Sequence, residues 1–474
     1  MNNNLRKFTR NFTYSFTVKI ISMLISVFVI LMLPKWLGLT HYSYFQLYMF
    51  YLSYTGFLGM GWTDGIYLKT GGEEYTNLNR SALISQFWLL ALFESIIFFI
   101  IITYIFVSIS DSDRMFIFIM TSISGFFLII RAYFYYILES TNRIKEFALI
   151  NLIDRSFYFL LTVSLILFGI NSYKPYIFVD MFSKATSVIL LGFMYRELVF
   201  GKTIPLKFAV QEAVSYIRIG SKLMLANIVS TLIIGIIRWG IEFKWDVETF
   251  GKVSLTLSIS NLLMLFVNSV GTVMFPMLRR TAPEKLPSVY LNMRTAIMVP
   301  LLGVMVFYYP AYSILSVWLP QYSDSLRYMA VILPICVFES KVSMLINTYL
   351  KTLRQEKTIL TVNLITLFLS IVLTLITVFY MNDLTLAVFS ILFLLAFRSV
   401  FAEVLLSKVI SINVIRDIVF EVMLTVVFII SSWYVGGYEG LLIYASAYFL
   451  YCFLKRKEVR SFVTLIKSLI GTAK

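Results

Sequence analysis

The fold of this chain is decided by stretches such as residues 83–109, which read LISQFWLLALFESIIFFIIITYIFVSI. One charged residue, Glu94, interrupts this run, which is longer than the roughly 20 apolar residues that a helix needs to cross a bilayer. Similar stretches follow one another between polar, Gly or Pro breaks. The predicted spans are 12–33, 41–68, 83–109, 114–138, 146–170, 174–197, 215–240, 249–276, 288–318, 325–350, 357–381, 384–408, 415–434 and 438–454.

The sequence therefore predicts an all-α polytopic membrane protein with about 14 transmembrane helices. The seventh stretch is the least apolar, which leaves a count of twelve or thirteen open. Composition agrees, because 59% of the 474 residues are hydrophobic and 14% are charged, against roughly 25% charged in soluble domains. That excess of apolar surface excludes a water-soluble fold of one or several domains.

The basic residues predict the orientation, since cytoplasmic loops are rich in Lys and Arg. With the amino terminus inside, 27 of the 40 basic residues, Arg294 among them, fall on the cytoplasmic side and 6 fall outside. We expect a cytoplasmic (inner or plasma) membrane protein with both termini in the cytoplasm and with His41 and the loop 241–248 outside. The net charge of +15 is divided among these loops, which argues against nucleic acid binding.

The longest cytoplasmic loop, 198–214, separates two groups of six spans. The predicted domains are an N-terminal lobe over 1–197, a linker over 198–214, a C-terminal lobe over 215–408, and two further helices with a basic tail over 409–474. The linker contains Gly201, Lys202 and Thr203, which mimic the end of a P-loop. Arg196 stands where that motif begins with Gly, so no nucleotide site is expected.

Polar residues recur at helical spacing inside several spans, and such stripes line wet interiors. The substrate-binding candidates from these stripes are Ser15, Lys19, Ser22 and Ser26 in the first helix, Asn227 and Arg238 in the seventh, and Asn261 and Asn268 in the eighth. Lys19 lies on a polar face without an acid, so its charge is available for an anion. Tyr44, Tyr48 and Tyr51 in the second span indicate either sugar stacking or packing.

Several charged residues lie at membrane depth. Asp180 with Lys184, and Arg131 with Asp154, are expected to pair and to serve structure. For the others an ion pair and a ligand contact remain equally open. The further substrate-binding candidates are Arg155, Lys341 and Arg398, and the coupling candidates are Asp64, Glu94 and Glu339. The single histidine and the two apolar-flanked cysteines leave no material for a metal site or a catalytic triad, so no cofactor is expected.

Three stretches resemble the polysaccharide and O-antigen (oligosaccharidyl-lipid) flippases. The first stretch joins Trp36-Leu37-Gly38 and Tyr42-Ser43-Tyr44-Phe45 to Gly61-Trp62-Thr63-Asp64-Gly65 and Gly71-Gly72; the second is Leu138 to Lys145; the third runs from Arg238 to Arg280 and includes Phe275-Pro276-Met277-Leu278-Arg279-Arg280. Many relatives have Asp-Arg near the end of helix seven where this chain has Ile237-Arg238. An acid–base pair at that place cannot be carried over.

The resemblance implies the fold of the multidrug/oligosaccharidyl-lipid/polysaccharide exporter superfamily, with two six-helix lobes around a central cavity. It also implies a polyprenyl-diphosphate-linked oligosaccharide as substrate, the lipid bilayer as partner, and glycan polymerase or assembly proteins as further partners. The expected function is a flippase for capsule, O-antigen or other surface polysaccharide, and not an enzyme. The alternatives are a drug exporter of the same fold and a membrane-embedded glycan polymerase.

Overall fold

The computed structural model describes residues 3–279, 283–456 and 458; for residues 3–16, 19, 263, 265–279 and 283 it describes the backbone only. Within these ranges the chain is helical without strands. The helices are α1 (Asn3–Thr55), α2 (Trp62–Thr70), α3 (Arg80–Ser108), α4 (Ser112–Ser140), α5 (Ile144–Leu167), α6 (Tyr173–Met194), α7 (Leu206–Lys244), α8 (Val247–Arg279), α9 (Leu286–Val304), α10 (Tyr308–Trp318), α11 (Ser323–Leu326), α12 (Met329–Ile332), α13 (Ile335–Ser340), α14 (Asn347–Thr352), α15 (Glu356–Thr374), α16 (Leu384–Val409), α17 (Ile415–Ile430) and α18 (Gly437–Leu454).

Polar residues end the apolar runs and cap the helices that follow. Asn79 accepts a hydrogen bond from Ala82 N at 3.2 Å at the start of α3, and Asp383 accepts one from Leu386 N at 3.0 Å at the start of α16. Asp111 accepts from two backbone N–H groups at the start of α4. These side chains satisfy donors that have no partner within the helix, so the breaks in the sequence coincide with helix starts.

Among the described residues, 11 helices are long and apolar enough to cross a membrane. They correspond to twelve of the predicted spans, because the first of them covers the first two, and α8 and α18 match the remaining two. The outward side chains are apolar: Val107 is 83% exposed, Leu167 80% and Val317 83%. Lipid is the solvent for such a surface, and the prediction of an all-α polytopic membrane protein is confirmed.

The first two predicted spans meet at Gly38, which breaks α1 with φ 71°. Residues 3–37 run alongside α5 in the same direction, whereas residues 39–55 run in the direction of α6. Because α5 and α6 are consecutive packed helices joined by a short turn, the chain reverses at Gly38. The direction of the two arms follows from four contacts: Phe28 with Phe159, Trp36 with Ile170, Tyr44 with Tyr173, and Tyr48 with Asp180.

The second predicted span, 41–68, is interrupted. A 3-10 turn at Gly56–Gly59 follows α1, and Met60 and Gly61 then adopt left-handed backbone conformations before α2 begins. The ninth predicted span is also interrupted, by a 3-10 turn at Met305–Phe307 between α9 and α10. Both breaks lie where Gly and Pro residues weaken the helical hydrogen bonding.

The chain divides into two compact units, Met1–Ile228 and Val229–Lys474, so the boundary falls inside α7. The core of the first unit is built around Tyr133, Phe134 and Leu83, and that of the second around Leu345, Tyr349 and Leu406. The sequence-derived limits of the lobes, the linker and the C-terminal part stay predictions.

Within the first unit, α2 lies directly against the first part of α7. A Cβ atom on Gly65 would come within 2.0 Å of Tyr216 O, and one on Gly220 within 1.9 Å of Gly61 O. The two backbones therefore touch, and only glycine leaves room for this approach.

Candidate functional site

The polar stripe of the first helix lies on residues 3–37 of α1. Ser15 and Lys19 belong to this helix, but their side chains are outside the described part of the structure. Ser22 and Ser26 are partly exposed, and Ser26 Oγ donates to Ser22 O at 3.0 Å. The donor of the Ser26 hydroxyl is therefore satisfied within its own helix, and both of its lone pairs remain to accept hydrogen bonds.

Arg155 lies near the middle of α5 and is exposed. It makes no hydrogen bond or ion pair with a described residue. The apolar exposed face of α5 is marked by Leu149, Ile153 and Leu160. At ~100° per residue, Arg155 points roughly 140° away from these three side chains.

The neighbour of Arg155 on that side is α1, since Phe159, one turn further along α5, packs edge-on against Phe28 at 5.2 Å. The two helices run in the same direction there. Lys19 is nine residues before Phe28 and Arg155 is four before Phe159, so their backbones differ by about 7–8 Å along the axes. Two cationic positions thus lie on neighbouring helices of one unit.

Of the candidates on α7 and α8, Arg238 contacts two side chains of α8. Arg238 Nη2 donates to Ser254 Oγ at 3.0 Å, and its guanidinium lies 5.2 Å from the centre of the Phe250 ring. Asn261 is exposed on α8 and Asn227 is exposed on the part of α7 that belongs to the first unit, whereas the side chain of Asn268 is outside the described part. The ring and the hydroxyl hold the arginine in place, because a guanidinium can stack and donate at once.

Lys341 and Arg398 are enclosed and paired in this structure. Lys341 Nζ donates to Glu403 at 2.7 Å and to Glu421 at 3.0 Å, and it has no exposed surface. Arg398 pairs with Glu339 at 3.4 Å. The sequence could not assign these partners, and the acid close to each base in sequence is not the one it meets.

Lys341 belongs to a larger group of buried charges that sequence reasoning missed. Arg294 lies within α9, contacts Glu403 at 2.6 Å and Glu421 at 2.7 Å, and is only 2% exposed. It is a buried ion-pair partner and not an exposed loop residue, and its position on the cytoplasmic flank stays a prediction. We call Arg294, Lys341, Glu403 and Glu421 the ionic cluster; its two positive and two negative charges balance.

The ionic cluster joins α9, α16 and α17 with the π-helical segment Lys341–Ile346, and a second pair adjoins it. Asp417 of α17 accepts from Lys455 at 2.5 Å, just after α18, and lies 3.6 Å from Arg294. These charges attach the last two helices to the second unit. The signal in the sequence was an acid, Glu421, in the middle of an apolar span, where ionised groups need partners.

The first unit contains the two pairs that spacing predicted. Lys184 pairs with Asp180 one turn away, and Arg131 Nη1 donates to Asp154 at 2.7 Å, so both predictions are confirmed. Tyr48 is buried and donates to Asp180 at 2.5 Å. In this structure its hydroxyl therefore completes the Asp180 pair, which supports packing over sugar stacking for that residue.

The coupling candidates differ in their surroundings. Asp64 is partly exposed in the first turn of α2. Glu339 shares its charge with Arg398. Glu94 is fully buried in α3, and neither of its carboxyl oxygens has a hydrogen-bond partner among the described residues.

No protein-family model matches this sequence, and no curated protein matches it at a significant level. Solved structures do. One is described as "Lipid II flippase MurJ, inward closed conformation", with a TM-score of 0.66 and 14% identity over 94% of this chain and 98% of that chain. A second is the inward-facing conformation of a multidrug resistance MATE family transporter of the MOP superfamily, with a TM-score of 0.62 and 12% identity over 86% of this chain and 98% of that chain.

A third is a MOP superfamily transporter from Pyrococcus furiosus, with a TM-score of 0.51 and 12% identity over 85% of this chain and 95% of that chain. These likenesses extend over most of both chains, while the identities are low. Similarity of this kind identifies architecture and leaves function to the site. The chain has the fold of the multidrug/oligosaccharidyl-lipid/polysaccharide exporter superfamily.

Proposed function

We propose that this chain is a transporter that flips polyprenyl-diphosphate-linked oligosaccharides across the cytoplasmic membrane by alternating access, for the synthesis of capsule, O-antigen or another surface polysaccharide. The observation that carries the proposal is Arg155, a cation exposed at mid-helix on a side of α5 away from the apolar face. The likeness in fold to a lipid II flippase supports it.

The chemistry of the substrate explains the role of the cations. A diphosphate carries negative charge that hydrocarbon does not solvate, so its transfer is slow unless polar groups replace water. Arginine donates to phosphate oxygens in a planar fork, and lysine supplies a compact charge. We assign the diphosphate to Arg155 and Lys19.

The oligosaccharide is assigned to neutral polar groups. These groups form hydrogen bonds with the sugar hydroxyls without binding the sugar too tightly to release it. In the first unit these are Ser15, Ser22, Ser26 and Asn227, and in the second unit they are Asn261 and Asn268, together with the charged Arg238. Lys341 and Arg398 take part in binding only in a state in which their ion pairs open. Asp64 and Glu339 remain coupling residues in the proposal, and the termini are assigned to the cytoplasm.

A drug exporter is the second candidate, because the fold is also that of a multidrug resistance transporter. The two functions differ in what the site must bind. A diphosphate needs cations, while the cationic drugs that many exporters carry need acids or aromatic rings. The exposed Arg155 without a paired acid among the described residues favours the anion.

The proposal is tested by ligand stabilisation of the purified full-length protein in detergent. Four compounds are titrated separately while the unfolding temperature is followed: polyprenyl-diphosphate oligosaccharide, polyprenyl phosphate, free oligosaccharide and a cationic dye. A ligand at 100 times its Kd stabilises by about 2.7 kcal/mol. We expect the lipid-linked oligosaccharide to stabilise most, and to lose this effect with Arg155→Ala. Stabilisation by the dye alone would favour the drug exporter, and elongation of the glycan would indicate a polymerase.

A further inference from the structure

Glu94 is an ionisable group enclosed in an apolar core. It lies midway along α3 and has no exposed surface. Leu90 and Phe98 of the same helix are buried in the core of the first unit, as is Ile129 of α4. Neither carboxyl oxygen is hydrogen-bonded, and no ion pair involves Glu94 within the described ranges.

Several charged and titratable groups on the elements packed against α3 have partners other than Glu94, whereas Arg196 of the turn after α6 is exposed and the Tyr135 hydroxyl of α4 has no hydrogen-bond partner among the described residues. On α4, Arg131 pairs with Asp154, Tyr133 donates its hydroxyl to Leu83 O, and Glu139 has a partner of its own. In the turn after α6, Glu197 accepts from Tyr75. The 3-10 turn Gly56–Gly59 carries no titratable side chain. No described cation therefore balances a charge on Glu94.

An ionised carboxylate in such a place has lost its hydration, and no hydrogen bond or opposite charge compensates for the loss. The neutral acid is far easier to bury, because only a polar O–H and C=O must be desolvated. The enclosed state in this structure is accordingly the state with a proton on Glu94. Ionisation requires that water or a cation reach the carboxyl.

The side from which water can arrive is the break in the second predicted span. A Cβ atom on Gly59 would lie 3.6 Å from Glu94 Oε1 and 3.4 Å from Ile129 Cγ2, so the 3-10 turn covers the carboxyl directly. Met60, the next residue, is 49% exposed. The enclosure of Glu94 thus depends on one turn of irregular backbone next to the surface of the first unit.

We propose that Glu94 is a proton-binding site whose occupancy is linked to the position of this turn. The carboxyl holds its proton while Gly56–Gly59 covers it. When the turn moves away, the O–H bond breaks, the proton passes to a water molecule, and the electron pair stays on the carboxylate. This proposal rests on the proposed transport function only in assuming that the motion of the turn serves transport. Proton binding by Glu94 is measurable without any substrate.

The test uses the purified full-length protein in lipid nanodiscs with no lipid-linked oligosaccharide present. Infrared absorption of protonated carboxyl groups is recorded against pH for the natural chain and for Glu94→Gln, an isosteric neutral variant. Glutamate labelled with ¹³C identifies the band as that of a glutamate, and Glu94→Asp, whose band would not shift with the label, assigns it to position 94 even when Glu94→Gln does not fold. We expect a band at neutral pH that shifts with the label and is missing in Glu94→Gln.

The link to the turn is measured with Met60→Cys in a background lacking the two native cysteines. The alkylation rate of the cysteine at position 60 is divided by the alkylation rate of a cysteine at the exposed position 203, introduced as Thr203→Cys. This ratio removes the effect of pH on the ionisation of the thiol itself. We expect the ratio to rise roughly tenfold per pH unit while the acid is mostly protonated, and to be constant once Glu94→Gln is added. Glu94→Asp should keep the pH dependence.

Three results would overturn the proposal: no protonated glutamate band assigned to position 94 at neutral pH, a pH dependence that persists in Glu94→Gln, or a ratio that follows sodium concentration and ignores pH. The last would make the site one for a metal cation. Because no substrate is present, each of these outcomes is independent of whether the chain flips lipid.

Discussion

Glu421→Leu is expected to destabilise the second unit strongly, because it removes one of two acids from the ionic cluster. Arg294 and Lys341 would then share Glu403, and the only other acid that contacts either of them among the described residues is Asp417, which lies 3.6 Å from Arg294 and already pairs with Lys455. The buried positive charges would therefore be left undercompensated. Breaking a buried pair in this way costs about 3–5 kcal/mol. At about 2–4 °C per kcal/mol for a unit of this size, the unfolding temperature should fall by roughly 6–20 °C.

Lys341→Met should cost a similar amount, since it leaves Glu403 and Glu421 facing Arg294 alone. The double variant Lys341→Met with Glu421→Leu removes one charge of each sign and keeps the Arg294–Glu403 contact at 2.6 Å. A neutral cluster with apolar replacements is often as stable as the original. We therefore expect the double variant to lose at most about 3 kcal/mol, well below the sum of the single losses.

The assay is thermal unfolding of the purified protein, followed by intrinsic fluorescence in one detergent and at one protein concentration. Lys351→Met, a change to a lysine on the last turn of α14, is the control and should have little effect. The reasoning would be refuted if the double variant were as unstable as the sum of the two single variants. Additive losses would mean that the charges do not depend on one another.

Three further outcomes follow from other parts of the structure. Gly65→Ala would place a carbon 2.0 Å from a backbone oxygen of α7, so most of the folded protein should be lost. The control is Gly192→Ala, whose added carbon meets nothing within 4 Å. In a gel-filtration profile this control should behave as the natural chain. Arg155→Ala should reduce the transport rate about tenfold or more, because one charge-assisted contact is lost, while Arg155→Lys should keep part of the rate. Equal rates for the natural chain and both variants would show that Arg155 is not part of the site. An impermeant thiol reagent added from outside should label Lys244→Cys but not Thr203→Cys, and the reverse pattern would invert the proposed topology.

The helices were predictable because lipid leaves few alternatives: a run of about 20 apolar residues has to satisfy its own backbone hydrogen bonds. Contacts within one turn were predictable as well. Asp180 and Lys184 are four residues apart, and a helix brings such residues together. Arg131 and Asp154 lie on consecutive helices joined by a short turn, which limits their separation.

The partners of Lys341 were not predictable, since Glu403 and Glu421 are 62 and 80 residues away along the chain. Only the packing of helices in three dimensions brings them together. Glycines mark the break at residues 56–61, but the fact that it covers Glu94 depends on how α3 packs. Composition indicates where a helix is easily interrupted. The packing of the helices decides which side chain, here Glu94, the interrupted segment contacts.

The central claim is that the chain moves a lipid-linked oligosaccharide from one leaflet to the other. The most direct measurement is the rate at which a polyprenyl-diphosphate oligosaccharide, placed in the inner leaflet of vesicles containing the purified protein, becomes available to a glycosidase added outside. We predict a rate that increases with the amount of protein, falls with Arg155→Ala and is absent for a phospholipid labelled on its headgroup. The account would be contradicted if protein-containing and protein-free vesicles exposed the oligosaccharide at the same rate while the protein was folded in the membrane.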